Sequence, residues 1–79
     1  MNKLLYKSKA ELYKQQILLI LEILSSLDKD FNSNYVETIY YETGNLEYFY
    51  KDKSFIMFYP VKRVCINKEM YYKQEYLIR

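Results

Sequence analysis

Apolar residues recur at helical spacing through the first third of the chain and at strand spacing through much of the rest. At about 100° per residue, Tyr6, Ala10, Tyr13, Ile17, Ile20, Leu21, Leu24 and Leu27 fall on one stripe. Leu5, Leu12, Leu19 and Ile23 lie on its flank. Lys7, Glu11, Lys14, Gln15, Glu22 and Ser26 take the opposite side, with Leu18 as the lone apolar intruder. The pattern predicts one long amphipathic helix over residues 8–27. Ser8-Lys9-Ala10-Glu11 fits a capping box, in which Ser8 accepts from the Glu11 N–H and the Glu11 carboxylate reaches back to the Ser8 N–H. Alternatively, Leu4, Leu5 and Tyr6 extend the helix upstream with Asn2 as the cap.

The apolar arc is roughly 200° wide, about twice the stripe that a helix lying on one core needs. Either the loops and the C-terminal segment cover the surplus, or a second chain does. In the second case Leu12, Leu19 and Ile23 are the candidate homodimer contacts. A coiled coil is not expected, because the segment is shorter than three to four heptads.

Asp28–Asn34 is a polar linker suited to turns, with Phe31 expected to tuck under the end of the helix. Tyr35–Glu42 reads as a strand rich in β-branched and aromatic residues, and Thr43-Gly44-Asn45 as a hairpin turn. Leu46–Lys51 alternates cleanly, with Leu46, Tyr48 and Tyr50 on one side and Glu47, Phe49 and Lys51 on the other. Asp52-Lys53 makes the next turn. Ser54–Tyr59 is apolar on both faces, which places it centrally, and Pro60 ends or bends it. Val61–Ile66 is a candidate fourth strand.

Residues 67–79 carry two conflicting signals. Alternation puts Met70, Tyr72, Gln74, Tyr76 and Ile78 on one face of a strand. Composition and Asn67 as an N-cap favour a short helix, which is the expectation adopted, with a last strand as the alternative. The predicted architecture is α+β in one domain: a long N-terminal amphipathic helix on a three- to four-stranded antiparallel β-meander (35–66), then a C-terminal element over 67–79.

Composition sharpens this picture. In 79 residues, 51% hydrophobic with 11 Tyr and 4 Phe, the core supply is ample for a small domain. One Gly and one Pro leave little room for loops. The formal net charge of +2 is too small to argue for nucleic acid and has the wrong sign for an acidic mimic of it. A single cysteine, Cys65, allows no internal disulfide and suits a reducing compartment. Its apolar strand setting points to a packed thiol rather than a nucleophile.

Glu22 interrupts the apolar stretch before any signal-peptide cleavage site, and Ile17–Leu21 is too short to span a bilayer. A cytoplasmic location without membrane contact is therefore expected. The bias toward Lys, Asn, Ile, Tyr and Phe fits AT-rich coding, and very short chains without catalytic residues are common among accessory proteins of phages and mobile elements.

Chemistry is sparse. With no His, the usual general base and every His-containing triad are absent. Asp28, Asp30 and Asn32 resemble the start of a calcium loop, but position 33 is Ser and position 39 is Ile, so the loop Gly and the distal bidentate Glu are missing. No metal, cofactor or catalysis is expected. What stands out is aromatic and cationic surface: Tyr40, Tyr48 and Tyr50 with Lys51, Lys53, Lys62 and Arg63. Tyr, Met and Arg are enriched at interface centres, so this set is the candidate surface for a protein target. The same residues read alternatively as a stacking platform for single-stranded nucleic acid, or as amphipathic walls of the fold. The expectation is a stoichiometric protein-binding factor of inhibitor, antitoxin, immunity or anti-defence type, with a nucleic-acid-binding accessory protein as the alternative.

Overall fold

Ser8 does start the helix. In the computed structural model, which describes residues 2–79, its extended backbone precedes α1 (Lys9–Leu27) and its Oγ accepts from the Glu11 N–H at 3.2 Å. The reciprocal half of the capping box is replaced, because the Glu11 carboxylate accepts from Gln15 Nε2 instead. At the other end the Asp28 N–H donates to the Leu24 carbonyl, and Asp28 Oδ1 takes the Asp30 N–H to turn the chain away.

The segment before the helix is a strand, β1 (Asn2–Tyr6), and not an upstream helical extension. After the linker a single 3₁₀ turn (Ser33–Tyr35) leads into β2 (Val36–Tyr40). Then follow β3 (Leu46–Tyr50), β4 (Lys53–Phe58), β5 (Lys62–Ile66) and β6 (Glu69–Ile78). The fold is α+β as predicted, but the sheet has six antiparallel strands, and the expected C-terminal helix is the longest strand of all. Alternation was the correct signal there. Its physical basis is pairing on both edges: β6 meets β1 along Tyr72–Tyr76, and β5 and then β4 along its other edge. No local helix propensity matches two ladders.

Strands β4 and β5 run in the same direction along one edge of β6, so they are two halves of one long strand bent at Pro60. The two tight turns that close the sheet each place two residues at positive φ, Lys51 and Asp52 between β3 and β4, and Asn67 and Lys68 between β5 and β6. That is the twist a two-residue hairpin loop requires. Gly44, φ +91°, sits in the β2–β3 loop, and a Cβ there would lie 3.0 Å from Pro60 Cγ. The only glycine thus lets the hairpin tip rest on the proline bend.

Helix α1 covers one face of the sheet. The core joins Leu4, Leu12, Ile20, Leu24, Tyr50, Phe55, Ile56 and Phe58. A bulge opposite Tyr48 and Phe49 leaves Phe55 as the extra residue, so it and Ile56 are both buried. The seated stripe of the helix is Leu12, Gln16, Ile20 and Leu24, with Leu19 and Ile23 beside it. This is rotated from the predicted stripe and leaves Tyr13, Ile17, Leu18 and Leu21 exposed. An apolar arc that wide has two halves able to seat, and the sheet took the half containing Leu12.

The opposite face is uncovered. One row across it reads Ile39, Glu47, Met57 and Leu77 from β2 to β6. The Glu47 carboxylate accepts from the Tyr41 and Ser54 hydroxyls, each at 2.6 Å, and pairs with Arg79 at 3.4 Å. Those two hydroxyls, with Arg79 adding a weaker pull, hold Glu47 below the usual carboxylate range. Lys73 and Glu75 form a further ion pair on this face. Mixed apolar and charged side chains are what a one-sided antiparallel sheet shows to water.

Candidate functional site

Two recesses flank the helix. The larger, about 840 Å³, lies under its C-terminal half, with Leu19, Ile23, Phe55 and Ile78 as walls. At its rim Tyr50, 5% exposed, donates its hydroxyl to Asp28 Oδ2 at 2.9 Å and accepts from the Asn32 N–H. Lys51 Nζ binds the same carboxylate oxygen at 2.9 Å while lying over the rings of Tyr35 and Tyr50. Lys51, the Asp30 N–H and Tyr50 together hold Asp28 below the ordinary carboxylate range, and Asp28 raises Lys51 in turn. Phe31 packs at a tilt against Tyr50 of β3 with ring centres 5.7 Å apart. This recess is bordered by an internal clamp that ties the linker to the β3–β4 turn.

The second recess, about 460 Å³, opens where the hairpin tip meets the proline bend. Its mouth is formed by Tyr13 and Ile17 of α1 and by Tyr40, which is 79% exposed. Tyr48 forms a deeper wall, packed edge-on against Phe58. Burial first, and then the neighbouring Tyr40, hold the Tyr48 phenol above its ordinary value, against an opposing pull from the Gln16 amide beside it. No charged side chain lines this recess.

Two buried amides reach it, Gln16 from the helix and Gln74 from β6, 6% and 5% exposed. Gln74 has a visible structural task. Pro60 has no N–H, and at this break in the ladder Gln74 Nε2 donates to the Tyr59 carbonyl at 2.9 Å. That fixes which end of the amide faces which way. The Oε1 atoms of both glutamines are buried and receive no donor from the protein. Buried acceptors without partners are rare enough that two in one recess call for a physical reason.

The predicted surface residues separate. Tyr40 and Tyr48 meet at the second recess, on the helix side of the sheet and not on the open face. Tyr50 and Lys51 are engaged in the clamp. Lys53 sits on the rim of the larger recess, and Lys62 and Arg63 are exposed neighbours on β5, pointing to opposite faces. No single patch collects them. Of the expected dimer contacts, Leu12 is 0% exposed and lies in the core, which removes it from any interface. Leu19 and Ile23 are half-buried against that core and line the larger recess. Cys65 is exposed on β5 rather than packed.

Gln16 and Gln74 carried no functional signal in the sequence. The available clue was Gln16 itself, a polar residue at i+4 from Leu12 and i−4 from Ile20.

Among the described residues no group of three His, Cys, Asp or Glu side chains could hold a metal ion, and no helix is long and apolar enough to cross a membrane. No protein-family model matches the chain, and no similar curated protein or solved structure was found.

Proposed function

We propose that this chain is a non-enzymatic protein-binding domain acting stoichiometrically, by covering a surface of its partner. An inhibitor, antitoxin, immunity or anti-defence factor of a phage or mobile element would work in this way. The observation that carries the reading is the exposed pair Tyr13 and Ile17 of α1, which meets Tyr40 at the mouth of a recess without charged side chains. Aromatic rims around a desolvated pocket are where binding energy concentrates in protein interfaces, and a single such residue contributes about 2 kcal/mol or more. The basic residues that would favour nucleic acid are dispersed over separate parts of the surface.

The test is a tagged pull-down from lysate with nuclease present, comparing the wild type with Ile17→Asp. Ile17 is 58% exposed, so the substitution leaves the core intact. The expected result is one protein retained at equal stoichiometry by the wild type, persisting at high salt, and lost from a variant with unchanged melting temperature. Identical capture by both forms overturns the reading. Loss on nuclease treatment, with steep weakening as salt rises, would make the chain a nucleic-acid binder instead.

A further inference from the structure

We infer that the outward ridge of α1 pairs with the same ridge of a second copy of this chain, the two helices running antiparallel about a two-fold axis at Leu18. This seam lies apart from the protein-binding surface proposed above. Lys14, Leu18 and Leu21 line neither recess, and Glu22 stands only at the rim of the larger one.

Burial along the helix defines the ridge. Leu12, Gln16, Ile20 and Leu24 are seated on the sheet. At about 100° per residue the opposite side carries Lys14, Leu18, Leu21, Glu22 and Ser25, all of them exposed. The two leucines at its centre are 48% and 46% exposed, with nothing of their own chain over them. Residues four apart form a continuous ridge on a helix, here Lys14, Leu18 and Glu22.

The charges on that ridge identify its cover. Lys14 and Glu22 stand four positions on either side of Leu18, about 6 Å each way at the helical rise. Neither joins an ion pair among the described residues. Glu22 has no basic residue three or four positions away on its own helix. The one acidic neighbour of Lys14 at that spacing, Glu11, accepts from Gln15 instead.

A two-fold axis at Leu18 reverses the second helix, so Lys14 of one copy comes level with Glu22 of the other. The pair forms twice, with Leu18 against Leu18 between them. A parallel arrangement in register would set lysine on lysine and glutamate on glutamate. Isologous contact demands a surface complementary to itself, and a ridge whose charge changes sign about its own apolar centre is such a surface. An unrelated protein requires no such symmetry.

An interface of little more than one helix face predicts a weak dimer, with a Kd of about 10–100 µM. Sedimentation equilibrium at low ionic strength measures it, with reductant present because Cys65 is exposed. Lys14→Glu and Glu22→Lys each put two like-charge contacts in the seam, and each should weaken self-association at least about fivefold. Both positions are exposed, so both variants should keep the wild-type melting temperature.

Mixing the two variants is the decisive step. In the mixed dimer each substituted site faces the other substituted site with opposite charge, and the native glutamate faces the native lysine. With one variant isotope-labelled, native mass spectrometry should find the mixed dimer well above the half expected from random exchange. A wild type still monomeric at about 500 µM overturns the proposal. Single variants that associate as well as the wild type, or a mixture without preference for the mixed dimer, overturn it too, because any association would then use another face.

Discussion

Gln16→Met should make the protein more stable. The wild-type side chain is 94% buried, by its 6% exposure, and its carbonyl oxygen has no donor in the protein. Such an atom costs about 1–3 kcal/mol of lost hydration that nothing returns. Methionine has nearly the same length and volume, so the exchange opens no cavity and forces no overpacking. Against the gain stands only the pull of the Gln16 amide on the Tyr48 hydroxyl, which forms no hydrogen bond of good geometry and offsets less than about 0.5 kcal/mol. The net expectation is a stabilisation of about 1 kcal/mol, which in a domain of this size raises the melting temperature by about 4–8 °C.

Gln74→Met supplies the internal control. It removes an equally unpartnered oxygen but also the 2.9 Å bond to the Tyr59 carbonyl, at the point where Pro60 has already broken the ladder. Its effect should lie near zero or be destabilising by about 1 kcal/mol. Urea unfolding followed by circular dichroism gives both values. The reasoning is refuted if Gln16→Met is no more stable than wild type, or if Gln74→Met exceeds it.

Three further outcomes follow from the same packing. Gly44→Ala places a Cβ 3.0 Å from Pro60 Cγ in a backbone at φ +91°, so a loss of about 1–2 kcal/mol is expected, and an unchanged melting temperature would contradict the observed hairpin contact. Leu12→Ala, in the core at 0% exposure, should cost about 2–5 kcal/mol, whereas Leu21→Ala, 46% exposed on the stripe that periodicity favoured, should cost far less; equal costs in chemical denaturation would place the helix in the wrong rotation. Asp28 and Glu47 both have folded values below their ordinary 3.8 and 4.5, so their contribution is fully present above those values and is lost as pH falls through the lowered ones. The melting temperature should therefore be flat down to about pH 5 and decline below about pH 4, with a shallower decline in the double variant Asp28→Asn, Glu47→Gln.

Periodicity read the elements well where one partner decided them, and poorly where two did. Helix α1 and the β2–β3 hairpin were legible because their apolar spacing and Gly44 act locally. Strand β1 was not, because Leu4 is inward only by virtue of its pairing with Gln74, seventy positions along the chain by the residue numbers. The rotation of α1 was hidden for a similar reason. A wide arc specifies that a helix will be covered, and only the sheet decides on which half. Alternation likewise grouped Leu46, Tyr48 and Tyr50 correctly but left open which face would be covered. Tyr50 went inward with its hydroxyl on Asp28, while Glu47 keeps its own donors on the open face.

The recess is where local rules are broken together: a proline within a long strand, a glycine pressed on it, and two polar side chains in otherwise apolar rows. In a chain whose other levels agree, such a concentration marks either a repair or a site. The two glutamines separate those meanings. Gln74 repairs something, since its amide nitrogen satisfies the Tyr59 carbonyl where Pro60 interrupts the ladder. Gln16 restores no ladder bond; it stands between Leu12 and Ile20 in the seated stripe of the helix, where leucine or methionine would pack at no cost in hydration. A polar residue at such a position is not accounted for by what holds the fold. That is why Gln16→Met and Gln74→Met, alike in the oxygen they remove, should differ in stability.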